Sequence, residues 1–289
     1  MNFVLYYFII LPISYLPYFF LYRLSDFVSF VLNNVLKYRK TVIINNLSNS
    51  FPNKNISEIE ILTKKFYSHL SDLIIEALKG FTISDKNIRD RVVCENINLL
   101  EELSNKSFIL MGGHYNNWEL SGQALPIYFK HDMYGIYKPL KNKFFDKKIK
   151  ISRSKFGLKM VPMKFTKRIF LKDESQPKVI LLGSDQGPSN IKNAYWTNFL
   201  NQDTAFLQGA EKYAKEFNWP VIYGTALKYK RGYYKIKFNI ISYNPRDTKD
   251  GEIIKKFSSL LEDDINNSPE FWLWSHRRWK RKRKLNNSL

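Results

Sequence analysis

The sequence predicts an α/β fold, in which a mostly parallel, mixed sheet is flanked by helices and preceded by an N-terminal membrane-anchor helix. Two observations predict the sheet: short apolar runs that stop at glycine alternate with stretches of helical periodicity, and residues 230–232 form a turn between two strand-like runs. A third observation predicts the anchor, because no charged side chain occurs in residues 3–22.

The uncharged N-terminal segment is long enough, at about 1.5 Å per residue, to cross a ~30 Å hydrocarbon layer. It does not resemble a signal peptide, since no basic residue precedes it and no small-residue cleavage site follows. Pro12 and Pro17 kink a helix, so a partly embedded anchor and a buried core helix are the alternatives. The positive-inside rule puts the rest of the chain in the cytoplasm. The basic residues that follow the segment are Arg23, Lys37, Arg39 and Lys40.

The other elements follow from periodicity and from the residues that end each run. Residues 27–36 predict an interfacial helix, and residues 57–79 predict a helix that ends at Gly80. Short apolar runs predict strands over 107–111, 178–182, 220–229 and 233–242, and helices are predicted over 117–129, 204–217 and 251–266. The resulting organisation is an anchor with an interfacial helix over 1–40, a catalytic domain over 41–280 and a basic tail over 281–289.

Charge narrows the class of partner. The chain has 46 Lys and Arg against 26 Asp and Glu, a formal net charge of +20. This excess implies a polyanionic partner, which is nucleic acid, anionic lipid or an acidic protein. The uncharged N-terminal segment favours the membrane among these, so no nucleic acid is expected.

Several classes of site are excluded or disfavoured. Cys94 is the only cysteine, which excludes a disulfide framework, a cysteine-rich zinc site and an iron–sulfur cluster. The four histidines lack metal-ligand spacing, so we predict neither a metal site nor a cofactor. The phosphate-binding and dinucleotide-binding glycine motifs are absent, as are the serine-hydrolase and zinc-protease motifs.

The first candidate constellation is a histidine that follows a predicted strand. His114 comes directly after Gly112 and Gly113, which allow a sharp turn and the close approach of a ligand. Glu119 is five residues further on, so contact between the two requires His114 in the turn and Glu119 in the first turn of a helix. In that arrangement the carboxylate orients the imidazole, which takes a proton from a hydroxyl. A loop histidine bonded to a nearby carbonyl is the alternative.

The second constellation follows another predicted strand. Asp185 and Gln186 could hydrogen-bond a sugar or an amide, or could brace the loop that carries His114, and an ordinary turn is the alternative. In open α/β sheets, sites form in the loops beyond the carboxyl ends of strands, and both polar loops occupy such positions.

A basic loop over residues 137–157 and a tryptophan-rich segment over 271–280 complete the candidates. Arg153 is the predicted contact for an anion or an oxyanion, and Lys138 and Asn117 are further candidates for substrate binding. The tryptophans alternate with basic residues, as at a membrane interface or a nucleic-acid stacking surface, although an ordinary strand or helix edge also fits.

The ordered motifs resemble the bacterial lipid A late acyltransferases of the lauroyl and myristoyl type. Residues 114–119 are similar to their H-x4-[DE] signature, which the wider glycerolipid acyltransferases share. Five more blocks resemble the family in order: residues 38–52, 153–157 (R-x-x-x-G), 185–188 (D-Q-x-P), 199–206, and 272–280 with its W-x-H-x-R-W motif. One departure is Asn201, where the family usually has glycine.

The resemblance implies a glycerolipid-acyltransferase-like fold in which residues 41–280 are an acyltransferase domain on the cytoplasmic face of the bacterial inner membrane. It implies transfer of a fatty acyl chain from acyl carrier protein to a hydroxyl of a lipid A precursor. His114 and Glu119 then form the general-base pair, and Arg153 stabilises the negative charge on the thioester carbonyl. Asp185 and Gln186 bind the acceptor or support the first loop. The high positive charge suits both an acidic carrier protein and a phosphorylated lipid.

Two alternatives remain open from the sequence. The acceptor can be another membrane lipid, such as an aminolipid or a phosphatidylinositol mannoside. In a different class, the chain is a non-catalytic basic protein that tethers a partner to the membrane, although the glycine–histidine and Asp185–Gln186 loops then have no purpose.

Overall fold

A twisted seven-stranded sheet organises the part of the chain that the structure, a computed structural model, describes: residues 2–172, 175–192 and 194–283. Its strand order is β1-β9-β8-β2-β5-β3-β4. The strands of this sheet are β1 (Val92–Cys94), β2 (Phe108–Gly112), β3 (Asp132–Tyr137), β4 (Lys159–Pro162), β5 (Lys178–Gly183), β8 (Val221–Lys230) and β9 (Tyr233–Ser242). A separate antiparallel hairpin consists of β6 (Ala194–Phe199) and β7 (Gln202–Leu207).

The sheet is mostly parallel, as predicted. Every neighbouring pair in it is parallel apart from β8 and β9, which form the predicted hairpin. The helices are α1 (Asn2–Leu5), α2 (Leu11–Tyr15), α3 (Tyr18–Phe30), α4 (Lys40–Ser50), α5 (Ile56–Lys79), α6 (Asp85–Arg91), α7 (Trp118–Ala124), α8 (Lys143–Arg153), α9 (Thr166–Leu171), α10 (Gly209–Phe217) and α11 (Glu252–Asn267).

Helices cover both faces of the sheet because its central strands are apolar on both sides. On β2, Ile109 and Met111 belong to a core shared with α4, α5, α10 and α11. Phe108 and Leu110 face the other way, into a core shared with α6 and α7. This double burial explains why the strand reads as a continuous apolar run, and it fixes the edge of the sheet at which the following loops emerge.

The predicted helix over 204–217 is wrong in its first part. Residues up to Leu207 belong to β7, and the helix begins only at Gly209. Buried Ala205 and Phe206 pair with β6, so tertiary pairing overrides the apparent helical period. The turn between the strands contains Asn201 at φ +60°, a left-handed conformation that asparagine tolerates better than most residues.

The predicted basic loop is also corrected, because most of it is helix α8. Asn142 caps this helix, accepting a hydrogen bond from the Phe144 backbone N–H at 3.1 Å. At the other end of the chain, residues 281–283 follow the last helical turn without regular structure, and the rest of the predicted tail lies outside the described residues.

The single N-terminal anchor helix is not what the structure contains. The segment is divided at Leu16 and Pro17, both with extended ψ values, so that α2 ends and α3 begins on a new axis. Proline causes the break, because it lacks a backbone N–H and disfavours helical geometry in the residue before it. Within the described ranges, no helix combines the length and the apolar character needed to cross a membrane. The helices pack on α5 instead.

Candidate active site

Two neighbouring parallel strands bring the two predicted polar loops together. β2 and β5 pair in a register that places Gly112 opposite Gly183, so the chain leaves both strands at the same point of the sheet edge. The Ser184 N–H donates to the Gly112 carbonyl at 2.9 Å and ties the loops together. A β-carbon on Gly183 would lie 3.2 Å from His114 Cε1, so the absence of a side chain there makes room for the imidazole.

The partner of His114 is Asp185, not Glu119. His114 Nδ1 lies 2.6 Å from Asp185 Oδ1, and the His114 backbone N–H donates to Asp185 Oδ2 at 2.8 Å. Because an ionised carboxylate only accepts, Nδ1 carries the hydrogen, and Nε2 of the neutral ring is left as the acceptor. Asp185 therefore holds the ring in the tautomer that a general base requires.

Charge and burial compete in this pair. Burial lowers the pKa of His114, but the negative charge and the hydrogen bond of Asp185 outweigh it and raise the pKa above its ordinary value. Burial also raises the pKa of Asp185, yet the charge of His114 and the hydrogen bonds to the carboxylate lower it to about 2. Asp185 is thus ionised throughout the physiological range.

The C-terminal segment supplies a third donor to Asp185. The indole Nε1–H of Trp272 donates to Asp185 Oδ2 at 2.8 Å. The segment also binds the backbone of the loop that carries His114. The Leu273 N–H donates to the His114 carbonyl at 3.1 Å, and Tyr115 forms a β-bridge with Trp272. Trp272 and Trp274 are buried in the core. The prediction of an exposed membrane or nucleic-acid surface is therefore wrong for these two residues.

Glu119 pairs with a different predicted residue. Arg153 Nε donates to Glu119 Oε2 at 2.8 Å, and Arg153 Nη2 donates to Oε1, so the ion pair is bidentate. Glu119 lies in the first turn of α7, and Arg153 in the last turn of α8. The predicted contact of Glu119 with His114 fails because the turn before α7 directs the imidazole toward β5.

The remaining candidates divide into one buried residue and two that face the cavity. Asn117 is fully buried: its Oδ1 caps α7 by accepting from the Leu120 N–H, and its Nδ2 donates to the carboxylate of Glu76. It is not among the residues that line the cavity described below, and its role in substrate binding stays a prediction. Gln186 Nε2 lies 3.1 Å from His114 Nε2, and Lys138 is exposed at the rim.

A cavity of about 370 Å³ opens beside this group of residues. Its interior is apolar, with walls from β2, β3, β4, β5, β8 and β9, and its mouth is polar. The apolar lining includes Leu110, Ile136, Leu158, Met160, Leu181 and Ile236. The polar lining includes His114, Glu119, Lys138, Arg153 and Gln186. An apolar interior with a few polar groups at the mouth is the usual form of a small-molecule site.

Sequence reasoning missed Trp272 and Glu76 as parts of this framework. The buried position of Trp272 could have been predicted, since a large aromatic residue after a long helix is a typical core residue. The role of Glu76 could not have been predicted, because it is one of several carboxylates on an amphipathic helix. Among the described residues, no cluster of histidine, cysteine, aspartate and glutamate is suited to hold a metal ion.

Comparison with known families gives one match that covers nearly the whole chain. The model of the family described as bacterial lipid A biosynthesis acyltransferase matches residues 1–281. No curated protein matches the sequence.

Proposed function

The chain belongs to the bacterial lipid A biosynthesis acyltransferase family, and we propose that it moves a fatty acyl chain from acyl carrier protein to a hydroxyl of a lipid A precursor at the cytoplasmic face of the inner membrane. The observation that carries this proposal is the orientation of His114 by Asp185 at the polar mouth of an apolar cavity. Family membership supports O-acyl transfer to lipid A. We propose in addition that acyl carrier protein is the acyl donor, that His114 is the general base and that the reaction takes place at the membrane.

The acyl chain lies in the cavity, with its thioester carbonyl near His114. The acceptor hydroxyl gives its proton to His114 Nε2 while its oxygen attacks the carbonyl carbon. The carbon–sulfur bond then breaks, and His114 returns the proton to the departing thiolate, so atoms and charges balance. The side-chain amide of Gln186 lies where the acceptor hydroxyl would approach Nε2. In the absence of substrate, its N–H takes the place of the hydroxyl as the donor to Nε2.

Negative charge develops on the carbonyl oxygen during the attack, and Arg153, which lines the same cavity as His114, is the cation we assign to supply a donor. Glu119 occupies its Nε and Nη2 atoms, and Nη1 makes no hydrogen bond to the part of the protein that the structure describes, so it can donate to a group in the cavity that Arg153 lines. We assign Glu119 the role of holding this guanidinium at the mouth, in place of the role of orienting His114.

Surface charge supports an acidic donor protein. Exposed lysines follow one another along the rim and along α8: Lys138, Lys141, Lys143, Lys147 and Lys150. An acidic carrier protein that docks here delivers its thioester beside Arg153, and the association is expected to weaken as salt screens the charges.

The test is transfer by the purified full-length chain in vesicles, with radiolabelled acyl carrier protein donors of several lengths and a tetra-acylated lipid A precursor. We expect product with the wild type and a loss of roughly 10²- to 10⁴-fold for His114→Ala. Transfer that survives in His114→Ala would remove the base from the mechanism. Transfer to an aminolipid or a phosphatidylinositol mannoside alone would change the acceptor and leave the chemistry intact.

A further inference from the structure

Helix α3 has its polar and apolar faces reversed relative to an ordinary surface helix. The stripe that meets the protein carries Tyr22 and Ser25, at helical spacing with buried Leu21. The opposite stripe is apolar and exposed to solvent. Its four phenylalanines are Phe19, Phe20, Phe27 and Phe30, each more than half exposed at 64%, 56%, 63% and 58%.

Hydrogen bonds to buried carboxylates hold the polar stripe in place. Tyr22 Oη donates to Glu76 Oε1 at 2.9 Å, and Ser25 Oγ donates to Asp72 Oδ1 at 2.8 Å, both on α5. Lys79 Nζ also donates to the Leu16 carbonyl at 3.1 Å, in the break before α3. Removing α3 from α5 would take one hydrogen-bond donor from each of the buried groups Asp72 and Glu76, which is costly for an acidic group out of water. The helix therefore stays docked and keeps its phenylalanines outward.

The apolar surface continues onto the first two helices. Eight more large apolar side chains before the Pro17 break are exposed: Phe3, Val4, Leu5, Tyr7, Phe8, Ile9, Tyr15 and Leu16. Contiguous apolar surface of this extent on a folded protein marks a site of contact with a partner or a membrane. We name this surface, formed by the exposed side chains of residues 3–30, the outer apolar face.

Charge identifies what covers the outer apolar face. The only acidic residue in the first forty positions is Asp26, and Arg231 neutralises it at 2.6 Å. Basic residues accompany the face: Arg23 lies among the phenylalanines, over the Phe19 ring, and Lys148 of α8 donates to Tyr7 Oη at 2.7 Å. Exposed phenylalanine together with arginine, lysine and tyrosine is the composition of a helix that lies in a membrane interface.

We propose that the outer apolar face lies flat in the surface of an anionic bilayer, so that the N-terminal helices remain docked on α5 and the protein meets the membrane from one side. Helix α8 links this surface to the active site, because Phe144 contacts Tyr6 while Ile149 and Arg153 line the cavity. A lipid acceptor then reaches His114 without leaving the membrane surface. This last consequence rests on the proposed function, but the mode of membrane contact does not.

The experiment measures depth in the bilayer. In a Cys94→Ser chain, Phe8→Cys, Phe19→Cys and Phe27→Cys are each labelled with an environment-sensitive fluorophore and bound to vesicles of phosphatidylethanolamine and phosphatidylglycerol. Nitroxide groups at known positions along the lipid chains then quench each label. We expect the same shallow depth at all three positions. Lys212→Cys, on the exposed side of α10, serves as the unquenched control.

Two results would overturn the proposal. A helix that crosses the bilayer would place the labels at positions 8 and 19 at depths that differ by roughly 16 Å, from eleven residues at 1.5 Å each. Labels that escape quenching, in a chain that sediments as a dimer, would mean that a second copy covers the face. Neither result depends on acyl transfer, so a failure here leaves the proposed reaction standing.

A second experiment measures vesicle binding of unlabelled variants, and it tests the proposal even if a labelled variant does not fold. Replacing Phe19, Phe27 or Phe30 by serine should weaken vesicle binding by about tenfold for each residue, since each loses the burial of one aromatic side chain. Leu171→Ser removes an equally exposed apolar side chain from α9 and should leave binding unchanged. Equal loss in both sets would refute a specific outer apolar face.

Discussion

Two hydrogen-bonded pairs of side chains stand at the mouth of the cavity, and the fold holds them in different ways. His114 and Asp185 follow two adjacent parallel strands, and Asp185 is buried and accepts three hydrogen bonds. Glu119 and Arg153 join two helices, and 29% and 30% of their side chains remain exposed. The first pair has a fixed geometry, which suits the transfer of a proton at a defined atom. The second is open to solvent, which suits contact with a substrate that arrives and leaves.

The largest expected effect separates the orienting roles of the two carboxylates. Asp185→Asn should lower kcat by roughly 10²- to 10⁴-fold, because His114 loses the partner that fixes its tautomer. The same change removes the negative charge that raises the pKa of His114, so the acid limb of the pH–rate profile should move to lower pH. Measurement of residual transfer across the pH range gives both quantities.

Glu119→Gln is the matched comparison for Asp185→Asn. It should shift the acid limb much less, because Glu119 raises the pKa of His114 through its charge alone, less than Asp185 does, and makes no hydrogen bond to the ring. If Glu119→Gln moved the limb as far as Asp185→Asn, the two pairs would not differ in role, and the H-x4-E pairing predicted from the sequence would be restored.

The same two pairs show how far sequence reasoning reaches. The strands before His114 and Asp185 are predictable, because each is a short apolar run ended by glycine, and so is their position at the carboxyl edge of a sheet. Their pairing is not, because β3 and β4 intervene in the chain while β2 and β5 are neighbours in space. Strand order depends on how the whole sheet assembles, so it cannot be predicted from local periodicity.

Proximity in sequence favoured the wrong partner for His114 for the same reason. Glu119 is five residues away, but helix α7 begins at Trp118 and turns the carboxylate toward α8. The N-terminal segment shows the complementary error: its lack of charge is real, yet the hydrogen bonds of Tyr22 and Ser25 to α5 dock it on the domain. The composition of this segment indicates an apolar surface, but it does not show which of its residues face the rest of the protein.

Stability should depend on the buried pair through Asp185. Its pKa is about 2 in the folded chain against an ordinary 3.8, so ionisation of Asp185 stabilises the fold above the ordinary value. That contribution, about 2 kcal/mol, should be lost as pH falls from about 4 toward 2. Urea unfolding of wild type and Asp185→Asn should therefore show a gap at neutral pH that closes in acid. Glu119→Gln should show a gap of less than about 1 kcal/mol at neutral pH.

Trp272→Phe should have a moderate effect, because it removes one donor to Asp185 and keeps an aromatic ring in the core. We expect kcat to fall about tenfold, within the range for a hydrogen bond to a charged group. The acid limb should move to higher pH, opposite to Asp185→Asn, since a carboxylate with fewer donors attracts the His114 proton more strongly. Trp279→Phe breaks a similar bond, from Nε1 to Thr204 Oγ1, and should leave both quantities unchanged.

The smallest expected effect concerns the exposed pair. Arg153→Lys keeps the positive charge but loses the planar, bidentate contact with Glu119, so the cation is no longer held at one position in the mouth. We expect kcat to fall roughly fivefold with KM for the acceptor nearly unchanged, because a donor to the developing oxyanion acts in the transition state alone. A rise in KM at constant kcat would instead make Arg153 a binding contact for the acceptor's phosphate. The exposed pair would then recognise the substrate, and the charge on the carbonyl oxygen would need another donor.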